Sequence, residues 1–336
     1  MRLFHIVASV ALIANGVIAP TPLRAWGEFG HLTVCDLAYR NFTPTTRAAV
    51  RDLLQVQTGG ITIAGAGDQD DRRYTSFNVG CLEEDSQPRR HPKDHFINVS
   101  RDTLAIEGNT CPLSATTSQP MQCILAGIDR DLAILHDASK PRRDRVIALM
   151  ALGHWVGDIH QPLHVSFKDD AGGNSVNIRF SGKCGTSTYR PGNLHAVWDN
   201  CLLQAGLFEK VRQRADFKTS WGERTITYRA VDSLVANTPL ANEQAYVRTS
   251  PWQWAAESYV ITRSPEVRYC TLLGTMCQYS ETQTALGKND TPRSQKIDVA
   301  YQNAFKGVAE DRVKKAGFRL AHLINRALDP AYVGPT

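Results

Sequence analysis

Residues 145–159 constrain the fold of this chain more than any other segment. Apolar residues cover nearly every side of the helix that this segment predicts, which is typical of a helix buried at the centre of a domain. Pro162 follows and ends the helix. His154 and Asp158 are polar residues of this helix and must find partners in the interior, because burying an unpaired carboxylate is costly.

Helical patterning also dominates the rest of the chain. Thr43 followed by Pro44 is typical of a helix cap and first helical position, and helical spacing continues over residues 48–54. Further helices are predicted at 121–135, 225–235, 253–261 and 300–327, a strand at 175–180, and loops at 59–67, 181–192 and 279–295. Without a repeat or a linker, the sequence predicts a single mainly α domain with minor β content over residues 26–336.

The first 25 residues are typical of a secretory signal peptide. Arg2 precedes an apolar stretch at 6–19, and small residues follow up to Ala25. The apolar stretch is shorter than the roughly 20 residues of a membrane-spanning helix. We therefore expect cleavage after Ala25 and a secreted or periplasmic protein without a membrane anchor. The net charge of +5 is far from that of a polybasic nucleic-acid-binding arm.

All eight cysteines lie beyond the signal peptide. An even number of cysteines in an exported protein suggests disulfides, and the lack of a Cys-x-x-Cys pair argues against a cysteine-rich zinc knuckle. We expect the pairs that are near in sequence, which are Cys111–Cys123, Cys184–Cys201 and Cys270–Cys277, with Cys35–Cys81 remaining.

Two His-x-x-x-Asp pairs point to a metal site. His154 and Asp158 share one face of the buried helix, and Pro162 can turn His164 toward the same centre. His195 and Asp199 repeat the spacing in a second apolar segment. Imidazole and carboxylate form a zinc-type ligand set, whereas a plain hydrogen bond in the core is the structural alternative.

His95 opens a short β-prone run, and Trp26 begins the expected mature chain. The free α-amine of Trp26 would have a pKa near 8, so a metal can displace its proton at little cost. The amine and carbonyl of Trp26 could form a chelate, with His31 as a third ligand. His160 faces away from Asp158 and is expected to be structural or to support the metal ligands from behind.

Together these segments resemble the S1/P1 family of zinc-dependent nucleases, which shares its fold with the zinc-dependent phospholipases C. The motifs are Trp-Gly-x-x-Gly-His at 26–31, Gly-Asp-Ile-His-Gln-Pro-Leu-His at 157–164 and Asn-Leu-His-x-Val-Trp-Asp at 193–199. The resemblance implies one helical domain with three zinc ions in a cleft. The implied ligands are His95, His154 and a loop aspartate for one ion, His164, His195 and Asp199 for a second, Trp26 and His31 for a third, and Asp158 as a bridge.

The loop aspartate is assigned to Asp68, with Asp70 and Asp71 as alternatives. The family pattern is Trp-x-Asp-x-x-Arg, whereas this chain has no tryptophan there and places Arg72 one position late. The resemblance implies that Asp68 also orients the attacking water. It further implies that Arg72 stabilises charge in the transition state.

The resemblance implies hydrolysis of single-stranded DNA and RNA to 5′-phosphorylated products by a zinc-generated hydroxide, and possible action on 3′-nucleotides. Asn200 would contact a phosphate oxygen, Phe96 would stack on a base, and Asn98 would hydrogen-bond a base. A monomer is expected. The alternatives are a phospholipase C, which should carry an exposed apolar patch that the sequence does not make obvious, and a non-catalytic zinc-binding protein.

Overall fold

The computed structural model describes residues 26–54, 76–111, 122–185, 189–236, 238–278 and 294–334. The predicted signal peptide and the segment that contains Asp68 and Arg72 lie outside these residues. The helices are α1 (Glu28–Arg40), α2 (Pro44–Leu54), α3 (Ser76–Gly80), α4 (Ile124–His136), α5 (Arg142–Asp158), α6 (Leu194–Ala196), α7 (Leu202–Arg212), α8 (Glu223–Ala236), α9 (Leu240–Val247), α10 (Pro251–Arg263) and α11 (Val299–Leu328). The mainly α fold class is confirmed.

Short strands form three two-stranded sheets in the described part of the chain. β1 (Ile97–Val99) pairs in parallel with β2 (Val165–Phe167), and β3 (Asn177–Phe180) pairs in parallel with β6 (Ser294–Ile297). β4 (Thr271–Leu273) and β5 (Met276–Gln278) form an antiparallel hairpin. The predicted strand at 175–180 is thus confirmed as β3. The loop predicted at 279–295 is wrong at its last two residues, because Ser294 and Gln295 pair with β3, a partner distant in sequence.

Helix α5 lies at the centre of the domain, as its composition predicts. Every residue from Ala148 to Asp158 is buried, and α4, α1 and α11 pack against it. The indole N–H of Trp155 donates to Asp131 of α4 at 2.7 Å, which satisfies a polar group in the core. The regular helix ends at Asp158 and continues as a tight turn ahead of Pro162.

Three helices of eight or more residues were not predicted from the sequence: α1, α7 and α9. Every residue of helix α1 from Phe29 to Tyr39 is buried, including His31 and Asp36. The helix therefore lacks the polar, solvent-facing side from which an amphipathic helix is predicted. Helix α11 confirms the long predicted C-terminal helix and packs along α1, α7 and α5. The interior of the domain therefore lies between α1, α5 and α11.

All eight cysteines are paired in disulfides, and the four expected pairs are confirmed. Four disulfides are typical of a protein that folds in an oxidising compartment. No helix in the described part of the chain has both the length and the apolar character needed to cross a bilayer.

Candidate metal centre

The last turn of α5 carries His154 and Asp158 to a buried group of polar side chains. Asp158 lies between three histidines: its Oδ1 is 3.1 Å from His31 Nε2, and its Oδ2 is 3.1 Å from His95 Nδ1 and 3.4 Å from His154 Nε2. The rings of His31 and His154 stack with centroids 3.9 Å apart. These distances give Asp158 the central position that the resemblance implies for a bridging ligand.

Asp85 joins this group, although the sequence analysis did not single it out. Its Oδ1 lies 3.9 Å from His154 Nε2, and Asp85, His31 and His154 form a possible metal-binding group. Burial lowers the pKa of His154, and the charge of Asp85 opposes that effect. We call His31, Asp85, His95, His154 and Asp158 the first cluster.

A sequence signal for Asp85 exists in retrospect. Asp85 is followed four residues later by Arg89, and it precedes His95 by ten positions. This spacing is a looser version of the aspartate–arginine pattern of the family. The guanidinium of Arg89 donates to Asp85 Oδ1 at 2.5 Å.

His164, His195 and Asp199 form a second cluster. His195 Nε2 lies 3.1 Å from His164 Nε2 and 3.5 Å from Asp199 Oδ2, while His164 Nε2 lies 3.8 Å from Asp199 Oδ1. Asp199 belongs to a π-helical turn, Val197–Cys201, a feature frequent at functional sites. His164 Nδ1 is 3.9 Å from Asp158 Oδ2, so the two clusters adjoin.

Backbone carbonyls orient three of the imidazole rings. The Nδ1 atoms of His154, His164 and His195 donate to the carbonyls of Cys81 (2.7 Å), His95 (2.5 Å) and Gly172 (2.7 Å). For His154 and His195, this contact fixes the tautomer that presents an unprotonated Nε2 to the cluster, as metal-binding histidines require.

Gln161 orients the carboxylate of the second cluster. Its side-chain amide donates to Asp199 Oδ1 at 2.6 Å, and its oxygen accepts the backbone N–H of Leu163 at 2.6 Å. Gln161 stands between the predicted ligands in sequence, but no local pattern pairs it with Asp199, which is 38 residues away.

The donor set fits divalent metal ions. Burial lowers the pKa of His31, His95 and His164, with neighbouring histidines as the next cause, and it lowers the pKa of His195 to about 4, so the rings are neutral at pH 7. Burial raises the pKa of Asp158 and Asp199. His95 Nε2 and both ring nitrogens of His31 are buried without a hydrogen-bond partner among the described residues, and the 3.1 Å contact between His31 Nε2 and Asp158 Oδ1 lacks hydrogen-bond geometry. Bound cations would satisfy donors of this kind, because neutral imidazole and carboxylate are zinc-type ligands.

The remaining predicted residues border the two clusters or face away. Trp26 is fully buried, and the N–H of Gly27 donates to the Asp199 carbonyl at 2.9 Å, which places the predicted mature terminus beside the second cluster. A Cβ at Gly27 would overlap the side chain of Asn200. His160 points away from the clusters and contacts Arg319 Nη1 at 2.8 Å.

Two predicted substrate-binding residues follow His95. Phe96 is half-buried and does not belong to the hydrophobic clusters of the described core. Asn98 is also half-buried, and its side-chain oxygen has no hydrogen-bond partner among the described residues.

Comparison with known proteins shows the family of this chain. The S1/P1 nuclease family model matches residues 26–329. Endonuclease 4 of Arabidopsis thaliana is 26% identical over 90% of this chain and 88% of its own length. Nuclease P1 of Penicillium citrinum is 26% identical over 89% and 97%, and nuclease S1 of Aspergillus oryzae is 27% identical over 88% and 89%. The chain belongs to the S1/P1 nuclease family.

Proposed function

We propose that this protein is an exported, zinc-dependent nuclease that hydrolyses single-stranded DNA and RNA to 5′-phosphorylated products and also acts on 3′-nucleotides. The observation that carries the proposal is the pair of adjoining buried clusters with Asp158 between them. A purely structural set of histidines would not need three buried carboxylates, and such a set favours several cations held close together.

The described residues contain three groups of possible donors, two of which share His154, and this supports three ions. We assign Asp85, in place of Asp68, as the loop ligand. The proposed ligands are His95, His154 and Asp85 for one ion, His164, His195 and Asp199 for a second, His31 with the terminal amine and carbonyl of Trp26 for a third, and Asp158 as the bridge.

Bound ions of this kind lower the pKa of water and neutralise charge on phosphoryl oxygens. The protein side chains position the substrate around them. Arg89 is bonded to Asp85, and its buried Nε has no hydrogen-bond partner among the described residues. We assign to Arg89 the stabilisation of transition-state charge that the resemblance implied for Arg72, because a guanidinium binds phosphate oxygens in a planar, bidentate manner.

Asn200 and Phe96 complete the proposed substrate site. Asn200 adjoins Asp199 and the terminal segment, where its amide can reach a phosphate oxygen. The half-buried ring of Phe96 offers a face on which a base can stack, and stacking accepts any base, which favours single strands. The side-chain oxygen of Asn98, which is buried and has no hydrogen-bond partner among the described residues, is the proposed acceptor for a base N–H.

A phospholipase C activity is the second candidate, and one observation favours it. Leu104, Val260 and Leu272 are exposed and line one surface cavity of about 330 Å³. The sequence made no apolar patch obvious, because these residues come from three separate segments. Exposed apolar patches of this kind are also found at protein interfaces, so the assay must include a lipid.

The test is degradation of four substrates by the purified protein: single-stranded DNA, single-stranded RNA, a 3′-nucleotide and phosphatidylcholine vesicles. We expect cleavage of the first three, loss of activity with a chelator, and recovery with added zinc. Product analysis should find 5′-phosphates.

Cleavage of phosphatidylcholine without cleavage of the other three substrates would replace the nuclease proposal with phospholipase C activity. Zinc binding without any hydrolysis would favour the non-catalytic alternative, and chelator-resistant hydrolysis would overturn the metal-dependent mechanism.

A further inference from the structure

The Cys35–Cys81 disulfide lies where three of the four segments that carry the first cluster meet: α1, the turn that leads to Asp85, and α5. Cys35 follows His31 by four residues on α1, so the two side chains share one face of that helix. Cys81 precedes Asp85 by four residues. Both sulfur atoms press on α5 at Gly153, the residue before His154, where a Cβ would overlap them.

Cys81 also holds a ligand directly. Its backbone carbonyl accepts the Nδ1–H of His154 at 2.7 Å, and its own N–H donates to the carbonyl of Phe77 at 3.1 Å. Both cysteines are fully buried. The position of Cys81 therefore sets the orientation of His154 and the path of the chain into Asp85.

We propose that the Cys35–Cys81 disulfide is a positioning device for the metal ligands of the first cluster. It spans 46 residues and fixes the Asp85 turn against α1 and α5 before a metal binds. Without the disulfide, the Asp85 turn would become ordered only when the metal binds, and the free energy of ordering it would reduce the metal affinity. The proposal rests on the metal centre proposed above, and it treats both cysteines as positioning residues.

The Cys270–Cys277 disulfide is the matched control. It closes the β4–β5 hairpin over 7 residues and adjoins no residue of either cluster in sequence. The comparison is between the Cys35→Ala/Cys81→Ala and Cys270→Ala/Cys277→Ala variants. The zinc dissociation constant of each is measured by chelator competition, well below its unfolding temperature.

We expect zinc binding about tenfold to hundredfold weaker in the Cys35/Cys81 variant, as for other groups that orient ligands, and unchanged binding in the control. Wild-type affinity in a folded Cys35/Cys81 variant would overturn the proposal. Failure of the wild-type protein to bind zinc would instead overturn the proposed function.

A second measurement uses the wild-type chain and does not depend on the variant folding. In glutathione buffers, one disulfide and two glutathione thiols exchange for two protein thiols and one glutathione disulfide. If the disulfide strengthens zinc binding by a given factor, zinc must shift the redox equilibrium of Cys35 and Cys81 toward the disulfide by the same factor. We expect a tenfold to hundredfold shift, or about 30 to 60 mV, read by alkylation and peptide mass analysis. An equal shift in Cys270–Cys277, or none in either pair, would contradict the proposal.

Discussion

Asp158 shows how a single residue acquires its role from its surroundings. On α5 it is one carboxylate among apolar residues, and in the folded domain three imidazoles from different segments approach within 3.4 Å of it. Burial raises the pKa of Asp158, with the charge of Asp85 as the next cause. Bound cations would offset the charge of these buried carboxylates.

Replacing Asp85 with asparagine tests the loop ligand. Asp85→Asn keeps the size of the side chain but removes its charge, so we expect zinc affinity to fall at least about tenfold, with a parallel loss of nuclease activity. Metal analysis after dialysis against a weak chelator gives the measurement.

Glu83→Gln is the control, because Glu83 lies in the same turn but outside the first cluster. Asp68→Asn should leave the affinity unchanged. The reverse pattern, with loss in Asp68→Asn alone, would return the assignment to Asp68.

At the scale of elements, the ends of helices and the turns that follow them decide where the ligands lie. Helix α5 stops at Asp158, and the tight turn beyond it carries His164 toward the second cluster. The carbonyl of Gly172, in a turn with positive φ values, accepts from His195. Helix α2, which Thr43 caps at its N-terminus, packs on α5 and α11.

Removal of the α2 cap should lower the stability of the fold without changing metal binding. Thr43 Oγ1 accepts the N–H of Thr46 at 3.1 Å and donates to Asp329 at 2.6 Å. We expect Thr43→Ala to lower the free energy of unfolding by about 1 to 2 kcal/mol in urea titration, and Thr43→Ser to restore it. Unchanged stability, or loss of zinc by the folded variant, would be evidence against a local capping role.

At the scale of the whole molecule, a partly buried ionic network supports the side of the metal centre that faces α10 and α11. Glu257 of α10 binds Arg319 of α11 at 2.6 Å and also pairs with Arg312. Arg312 Nε donates to the carbonyl of His160 at 3.2 Å, and Arg319 contacts the ring of the same residue. The long C-terminal helix is thus connected to the turn that precedes His164.

The pH dependence of this network has a definite sign. Burial acts to raise the pKa of Glu257, but the hydrogen bond from Arg319 and the charges of both arginines prevail and lower it to about 2. A depressed carboxyl pKa stabilises the fold above the usual value of 4.5, and that contribution is lost as the pH falls toward 2.

We therefore expect Glu257→Gln to lower the free energy of unfolding by about 2 kcal/mol at pH 7, allowing for the partial exposure of the carboxylate. The difference from wild type should shrink at each step below pH 4.5 in urea titrations. Glu107→Gln, at an exposed position, is the control. A difference that stays constant down to pH 3 would contradict the assigned role of the charge.

The sequence by itself determined the features that depend on neighbours along the chain. The helical spacing of α5 and α11, the His-x-x-x-Asp pairs and the cap at Thr43 follow from local geometry, and the structure agrees with each. Histidine and carboxylate in a buried segment also indicated a metal site, because their chemistry in an apolar interior permits few alternatives. Three disulfides were expected from proximity in sequence, and Cys35–Cys81 was the pair that remained.

Only the tertiary structure decided which distant groups meet. Asp85 enters the first cluster because the disulfide and the carbonyl of Cys81 bring its turn against α5, and Gln161 orients Asp199 across 38 residues. Helix α1 and strand β6 depend in the same way on burial and pairing with remote segments. Contacts of this kind arise from packing of the whole domain, so no local pattern specifies them.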